Sequence, residues 1–484
     1  MSNYVYLSAT EIADSIRRGE VSSTAVVKDH IEHIRKHNPK LNAFVLLLEE
    51  EALEQAAVCD QETLAGISRG ALHGVPISIK EQFWMSGTKT TVNSNIFEDW
   101  TAPEDALVVK ALREAGAIIL GKTNVAKELS DFQVSGDIYP DGKNPYQLDY
   151  SPGGSGGGSS AALASGMAPI DLGVDFGGSI RNPASFCGLY GLKPTDGAVS
   201  CHGIFPKLED YRGHVTHMMQ PGPMARCPED LELVWHTIRG PLKGDRDVPR
   251  IHWSGQESKR LQDYSIAWID RWPDFDTSEN TKSVIHDVVS RLTELRCRTT
   301  HFESEGDLHS RSLSVFFRLF GQIVSQNVPF FIKPLQKHGI KKGLLKGVKK
   351  FHSDLNTGFS DSFLGYSETM GLRAGITDEW ETIFESFDLL ICPVSYGPAY
   401  KRCRKGDPLE YQGQQLSYLN YAFPFLACFN ASGHPAIHIP CGLNSEGLPI
   451  GVQVVGPLWS EDRLIHFAKL LAGEVDGYVR PDGF

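Results

Sequence analysis

The sequence predicts a single large α/β domain, and three observations support this prediction. Helical and strand patterns alternate towards both ends of the chain, and no linker or internal repeat separates independent units. The 484 residues, of which 41% are hydrophobic, are enough to bury a large core. A segment with a mostly helical pattern, residues 240–385, lies between the two alternating parts, and we expect it to shape a substrate channel.

The first alternating part moves from helix to strand within its first 200 residues. Residues 7–60 have apolar side chains at helical spacing, with Ser8 or Thr10 as the N-cap. Further along, the patterns predict a strand over 72–80, a helix over 105–115, a strand over 117–120 and a helix over 159–165. Glycine and proline interrupt residues 180–199, which are therefore predicted to form turns and short strands.

The strand pattern returns near the end of the chain, in LLICPV (389–394), AIHIPCG (436–442) and PIGVQVVG (449–456). The helical segment before it carries an aromatic cluster. We expect this cluster to belong to the core, with an apolar acyl pocket as the alternative. Its members are Phe316, Phe317, Phe320, Phe330 and Phe331.

Charge and cysteine content exclude several classes of protein. A net charge of −12 argues against general nucleic-acid binding, which requires a basic surface. The N-terminal residues do not have the pattern of a signal peptide, and the apolar runs are far shorter than the ~20 residues of a membrane-spanning helix. Nine scattered cysteines without a CxxC motif indicate reduced thiols, so we expect a cytoplasmic protein.

Residues 151–181 carry the chemistry that the sequence suggests. Ser155 and Ser179 each follow a Gly-Gly pair, 24 residues apart, and Lys80 ends the apolar run HGVPISIK. A serine needs a base to become a nucleophile, and a lysine buried after an apolar strand is neutral more readily than one in water. The predicted relay therefore runs from Ser179 through Ser155 to Lys80, as a variant of the serine-hydrolase arrangement.

Backbone N–H groups next to Ser179 are candidates for an oxyanion hole. Gly177 and Gly178 allow a tight turn, so the N–H groups of Phe176, Gly177, Gly178 and Ser179 can point to one spot. A structural or phosphate-binding glycine loop is the alternative. The phosphate loop lacks its GK[ST] lysine here, whereas structural turns remain open.

These segments resemble the amidase signature family. The chain reads SPGGSGGGSSAALASG and then GVDFGGSIRNPASFCGLYGLKPT, and LHGVPISIKE, AGAIILGKTN and GLPIGVQVVG also look like family segments. The resemblance implies one domain with a mixed, twisted sheet covered by helices, with residues 70–230 as its signature core. It also implies roles for Lys80 as catalytic lysine, Ser155 as cis-peptide serine and Ser179 as acyl-forming nucleophile, and it requires no metal or cofactor.

Four positions depart from the family pattern: Gly156 replaces a serine, Phe176 a threonine, Glu81 an aspartate and Asn182 an apolar residue. None of them removes a member of the relay. Phe176 places a bulky ring beside the nucleophile, which bears on the substrate. Gly154, Asp175 and Arg181 are expected to support the site, the last two by bracing the nucleophile loop with hydrogen bonds.

The expected function is acyl transfer through acyl-Ser179, from an amide or thioester to water or to an amine. The chain looks most like the biosynthetic amidases of polyketide–peptide pathways, which favours amide formation. The first alternative is the amidase component of a glutamine-dependent tRNA amidotransferase. The second is a non-catalytic binding protein, and the intact set of Lys80, Ser155 and Ser179 argues against it.

The partners expected from the sequence are a small-molecule acyl donor and, for amide formation, an amine acceptor. Lys333–Lys350 contains seven lysines with apolar residues between them, which predicts a solvated amphipathic helix or a docking face for an acidic acyl carrier protein. A homodimer is compatible with the sequence. His434 and His438 have a zinc-like spacing, but Pro435 and Pro440 argue for a structural role.

Overall fold

A computed structural model describes residues 4–206, 217–251, 253, 258–303, 306–326, 328, 330–342, 345–346, 348–360 and 362–484. Within these residues, eleven strands form one mixed sheet and two more form a separate hairpin. The strands are β1 Phe44–Leu47, β2 Pro76–Lys80, β3 Ile118–Thr123, β4 Ile170–Asp175, β5 Tyr190–Lys193, β6 Gln220–Ala225, β7 Ser265–Trp268, β8 Arg298–His301, β9 Leu389–Cys392, β10 Leu409–Tyr411, β11 Gln414–Leu416, β12 Ala436–Leu443 and β13 Pro449–Val455.

Helices pack around this sheet. They are α1 Ala9–Arg17, α2 Ser23–Leu41, α3 Glu49–Leu64, α4 Leu107–Glu114, α5 Gly157–Ala164, α6 Arg181–Phe186, α7 Pro228–Ile238, α8 Glu279–Glu294, α9 Leu308–Ser325, α10 Lys333–Lys342, α11 His352–Ser360, α12 Phe363–Ser386, α13 Phe423–Ser432 and α14 Glu461–Ala472.

The order of strands in the sheet is β1-β3-β2-β4-β6-β5-β12-β13-β9-β7-β8. β2 is parallel to both β3 and β4, and β7 is parallel to β8 and β9, while the remaining neighbours are antiparallel. The sheet is therefore mixed, and the α/β fold class is confirmed. Three clusters of buried apolar side chains fill the spaces between sheet and helices.

The register of β2 and β4 positions the site. Ser78 pairs with Asp171 and Ile79 with Leu172, so the two strands end at the same edge of the sheet. Lys80 is the last residue of β2, and Asp175 is the last residue of β4, just before the loop that carries Ser179. Every residue of both strands is buried, including the polar side chains Ser78, Lys80, Asp171 and Asp175.

Two of the elements predicted for the first 200 residues need correction, and one predicted cap is confirmed. The helical stretch 7–60 is divided by β1, which forms because Phe44–Leu47 pairs with β3. Ser8 caps α1 through a capping box with Glu11. Residues 180–199 contain a helix, α6, as well as β5. The helix can form because no glycine interrupts the chain between Gly178 and Gly188.

The segment 240–385 is rich in helices, but it also contains β7 and β8. β7 pairs with β9 and β8 pairs with β7, so the two strands extend the main sheet at one edge. The first part of the segment therefore belongs to the sheet, and the mostly helical pattern predicted for 240–385 did not reveal these two strands. Each strand has only four residues, too few for a clear alternating pattern.

Candidate active site

Lys80, Ser155 and Ser179 lie together at the edge where β2 and β4 end. Lys80 Nζ lies 2.9 Å from Ser155 Oγ, and Ser155 Oγ donates to Ser179 Oγ at 3.0 Å. A second contact joins Lys80 Nζ to the Val174 carbonyl at 3.4 Å. The three predicted residues thus form one continuous chain of hydrogen bonds.

Burial differs along this chain. The side chains of Lys80 and Ser155 are 0% and 1% exposed, whereas Ser179 is half-buried. The inner two groups are shielded from water, and the outer hydroxyl is accessible. This arrangement suits a nucleophile that the substrate reaches from solvent and a base that is kept away from water.

Burial lowers the pKa of Lys80 from its ordinary value of 10.5 to about 7. The carboxylates of Asp175, Asp171 and Glu81 act in the opposite direction but do not outweigh burial. Neutral lysine is therefore well populated near pH 7, which is the condition for it to accept a proton.

The glycine-rich segment holds Ser155 by close backbone contacts. The Gly154–Ser155 peptide bond is cis, and α5 begins two residues later. A Cβ at Gly154 would lie 2.2 Å from the Asp131 carbonyl oxygen, and one at Gly158 would lie 2.3 Å from the Asn124 nitrogen. Glycine is thus required here for close packing, and the loop is a densely packed element of the site.

Asp175 and Arg181 brace the loop that carries Ser179. The Asp175 carboxylate accepts hydrogen bonds from the N–H groups of Gly178 at 2.8 Å and Ile180 at 3.2 Å, and it pairs with Arg181 Nη2 at 2.9 Å. Burial alone would raise the pKa of Asp175, but the charge of Arg181 and its hydrogen bonds hold it well below its usual range. The carboxylate is therefore a fixed anion that organises the turn.

The four candidate oxyanion N–H groups are not equivalent. Gly177 and Gly178 both direct their N–H groups towards Asp175 Oδ1, at 3.4 and 2.8 Å. Their φ angles of +149° and +111° explain why glycine is needed, since other residues rarely adopt them. Phe176 and Ser179 are not among the described donors to Asp175. The oxyanion assignment of residues 176–179 stays a prediction.

Two residues that sequence reasoning missed complete the brace. Arg181 donates to Asn430 Oδ1 and to Gln453 Oε1, both at 2.6 Å, and Asn430 also donates to Asp175 at 2.9 Å. All of these groups are buried. Gln453 lies within the segment GLPIGVQVVG, where a polar residue in an apolar strand is a signal; Asn430 has no comparable signal.

The departures from the family pattern have distinct surroundings. Gly156 faces the relay, since a Cβ there would lie 3.0 Å from the Ser179 carbonyl oxygen and 3.6 Å from Lys80 Cε. Asn182 accepts from the Gly154 N–H at 3.0 Å and ties the serine loop to α6. Glu81 accepts from the N–H groups of Thr91 and Val92 and so anchors a neighbouring turn.

Phe176 is half-buried beside Ser179 and contacts the rings of Phe316 and Phe320, with centroids 5.6 and 6.0 Å away. The predicted aromatic cluster therefore divides. Phe316 and Phe317 are buried, whereas Phe330 and Phe331 are 84% and 69% exposed. Placing those two in the core was wrong, because they follow the end of α9 and lie outside its apolar face.

The lysine-rich segment is also less regular than predicted. α10 ends at Lys342, and residues 349–360 form a short 3-10 turn and α11. Residues 343, 344 and 347 of the predicted amphipathic helix lie outside the described residues. His434 pairs with Glu381, and His438 contacts the Leu189 carbonyl from within β12, as expected of structural histidines.

One group of potential metal ligands occurs among the described residues. Cys59, Glu62 and His73 place ligand atoms within 4.8 Å of one another. Glu62 is already paired with Arg69 at 2.7 Å, and His73 Nε2 lies 3.1 Å from Thr63 Oγ1. The group shares no residue with the relay. In the described residues, no helix is both long enough and apolar enough to cross a membrane.

Comparison with known proteins places this geometry in a family. Residues 25–465 match the profile of the family described as Amidase. The chain belongs to the amidase signature family. Members of this family are enzymes that hydrolyse amide C–N bonds, and this chain is one of them.

Similar proteins support the same assignment over the whole length. A glutamyl-tRNA(Gln) amidotransferase subunit from Alkaliphilus metalliredigens is 31% identical, with 95% of each chain covered. The corresponding subunit from Moorella thermoacetica is also 31% identical, covering 96% of this chain and 95% of the other. These relatives match the amidotransferase alternative better than the polyketide–peptide expectation.

Solved structures share the fold. A bacterial aryl acylamidase of the amidase signature family superposes with a TM-score of 0.81 at 23% identity, with 99% of each chain covered. The corresponding subunit of the glutamyl-tRNA(Gln) amidotransferase from Thermotoga maritima superposes with a TM-score of 0.79 at 24% identity, with 99% of this chain and 98% of the other covered. The amidase fold is therefore confirmed.

Proposed function

We propose that the protein is an amidase that works through an acyl-enzyme at Ser179. One observation carries this proposal: an unbroken chain of hydrogen bonds links an accessible serine to a buried lysine, with distances of 3.0 Å and 2.9 Å. The burial that lowers the pKa of Lys80 supplies the base that the serine needs.

The first half of the reaction follows from this geometry. Ser179 Oγ attacks the substrate carbonyl carbon and forms the C–O bond, its proton passes to Ser155 Oγ, and the Ser155 proton passes to Lys80 Nζ. Backbone N–H groups of residues 176–179 are the proposed donors to the tetrahedral oxyanion, with those of Phe176 and Ser179 first among them because the N–H groups of Gly177 and Gly178 already point to Asp175. When the C–N bond breaks, the proton returns along the same path to the leaving nitrogen.

The second half reverses these roles with a different nucleophile. Water or an amine gives its proton through Ser155 to neutral Lys80 and attacks the acyl carbon, and the Ser179 oxygen leaves with a proton. Water yields a carboxylic acid, and an amine yields a new amide. The relay itself does not distinguish the two acceptors, so the choice depends on which one reaches Ser179.

The curated relatives favour glutamine as the amide that is cleaved. The relatives named above are subunits of glutamyl-tRNA(Gln) amidotransferases, and they support a role in which this chain releases ammonia for a partner. The similarity to amidases of polyketide–peptide pathways, and to the colibactin amidase in particular, supports an amine acceptor instead. None of the relatives named above supports transfer to an amine in a polyketide–peptide pathway.

A product assay separates these possibilities. Glutamine, other primary carboxamides and thioesters are each incubated with the enzyme, with and without hydroxylamine as acceptor, and ammonia, thiol and hydroxamate are measured. Glutamine hydrolysis favours the amidotransferase role, and hydroxamate formed faster than acid favours acyl transfer to amines. Products that persist in Ser179→Ala would contradict the proposal, and a folded protein without any product would favour a non-catalytic binding role.

We further propose Lys333–Lys350 as a contact for an acidic partner such as an acyl carrier protein. Lys341, Lys346 and Lys350 bond to Asn356, Asp407 and Asp274. Lys333, Lys337 and Lys342 lie on α10 beside exposed apolar side chains, among them Leu335 at 74% exposure.

The test is binding of a carrier protein to Lys333→Glu/Lys337→Glu/Lys342→Glu. The matched control is the same number of charge reversals on α2 at Lys28, Arg35 and Lys36. We expect loss of binding in the first variant only, and equal binding by both variants would refute this contact.

A further inference from the structure

A wall of phenylalanine rings stands directly beside the nucleophile loop. Phe316 and Phe320 lie one turn apart on α9, with ring centroids 6.0 Å apart and nearly parallel planes. Phe176 closes the group at 5.6 and 6.0 Å from these two rings, and Phe423 of α13 meets Phe316 edge-on at 4.9 Å.

The wall touches the residues that would hold the substrate carbonyl. A Cβ at Gly177 would lie 3.2 Å from Phe423 Cε2 and 3.6 Å from Phe316 Cζ, so both rings reach contact distance of the loop. Phe176 is the residue immediately before Gly177. A substituent that extends from an acylated Ser179 towards Phe176 and Gly177 would therefore meet aromatic carbon.

Exposure distinguishes this wall from ordinary core. Phe316 and Phe423 are buried, but Phe176 and Phe320 are half-buried, as is Ser179. The wall thus has a buried inner layer that fixes it and an outer layer, Phe176 and Phe320, that is partly exposed, as the nucleophile is. Apolar surface in such a position is typical of a ligand pocket.

The direction of the reaction decides which half of the substrate meets the wall. The leaving nitrogen must approach Ser155, because its proton comes from the Ser155–Lys80 side. The acyl substituent occupies the remaining side, next to Phe176 and Gly177. We propose that the acyl half of the substrate carries an aromatic or similarly apolar group close to its carbonyl, seated on the Phe176–Phe316–Phe320 wall; this rests on the proposed function of Ser179.

Two sulfonyl fluorides test this proposal without requiring turnover. Phenylmethanesulfonyl fluoride and methanesulfonyl fluoride differ by one phenyl ring. In each case the serine oxygen bonds to sulfur, the S–F bond breaks, fluoride leaves and the proton passes to Lys80. Rates of Ser179 modification are followed by intact-protein mass and are divided by each reagent's rate of hydrolysis by hydroxide.

The ratio of the two corrected rates is the readout. We expect a preference for the phenyl reagent of at least tenfold in the wild type, since a single methylene in an apolar pocket already changes rates about 10–200-fold. In Phe320→Ala the ratio should fall about fivefold or more, and Phe320→Leu should recover part of it. Phe330→Ala is the matched control, because Phe330 is 84% exposed, and its ratio should equal that of the wild type.

The outcomes separate the pocket from the nucleophile. Equal corrected rates for the two reagents, or a ratio unchanged in both Phe320 variants, would overturn the aromatic pocket and leave the acyl-enzyme proposal intact. If neither reagent modifies Ser179 in the folded protein, the nucleophile assignment fails and this inference fails with it. A preference that depends on Phe320 supports the inference and argues against glutamine, whose side chain is polar.

Discussion

Replacing Lys80 with methionine should abolish turnover and, at neutral pH, increase stability. Methionine keeps the length of the side chain and removes the amine, so the relay loses its base while the volume is nearly conserved. Because burial lowers the pKa of Lys80 to about 7 from 10.5, folding in the charged form is unfavourable. The stability effect therefore depends on pH in a direction that can be worked out.

The sign follows from proton binding. Between the folded pKa of about 7 and the unfolded value of 10.5, the unfolded chain binds more protons at this site, so wild-type stability rises with pH through that window. Below pH 7 the cost of the buried charge is complete, at about 5 kcal/mol for a difference of 3.5 units. At pH 7 it is still about 4 kcal/mol, and it disappears towards pH 10.5.

The hydrogen bonds lost by the substitution act in the opposite direction. Lys80 Nζ contacts Ser155 Oγ and the Val174 carbonyl, and losing the two contacts costs about 2 kcal/mol. The net gain for Lys80→Met is then about 2–3 kcal/mol at or below pH 7. It falls to zero near pH 9 and becomes a loss above that.

Thermal unfolding of both proteins from pH 6 to pH 10 measures this difference. With an unfolding entropy of about 1 kcal/mol/K for 484 residues, the expected rise in Tm at pH 7 is about 2–3 °C. Lys122→Met is the control for turnover. Lys122 is a buried lysine on neighbouring β3 whose pKa is also lowered by burial, to about 8, so its substitution should change stability with pH in the same direction but leave the relay intact. A difference that does not change with pH, or a Tm lowered at pH 6, would refute the reasoning.

Three further predictions concern the same site. kcat/KM should rise with pH and level off above about pH 7, as Lys80 becomes neutral; a profile that falls over this range would contradict Lys80 as the base. Arg181→Met should lower stability by about 3 kcal/mol or more, because it leaves the buried Asp175 carboxylate without its charged partner, and an unchanged Tm would contradict this. Gly156→Ala should lower kcat about tenfold, because the added Cβ would lie 3.0 Å from the Ser179 carbonyl oxygen. Steady-state kinetics measures this change. Gly371→Ala is the control, since a Cβ there meets open space.

The relay residues were predictable because each one ends or follows a strong local pattern. Lys80 closes a buried run, and both serines follow glycine pairs, so the chain itself marks them. The parallel register of β2 and β4 then brings these strand ends to one edge. The meeting of Lys80 with the two serines is a long-range contact, and the local patterns and the family resemblance together suggested it.

The brace and the pocket wall were not predictable in the same way. Asn430 reaches Asp175 across 255 positions, and Phe423 of α13 approaches the nucleophile loop at Gly177. Such contacts depend on how distant helices pack against the sheet, which no local periodicity encodes. The same limit explains why Phe330 and Phe331 were grouped with Phe316: spacing along the chain could not show that α9 ends before them.

The most direct test of the central claim is the mass of the acyl-enzyme. The protein is mixed with amide or thioester donors, quenched in acid within the first turnovers, and analysed as intact protein and as peptides. We expect a mass gain equal to the acyl group, located on Ser179 and lost in Ser179→Ala. An adduct on another residue, or product formation that survives in Ser179→Ala, would contradict it.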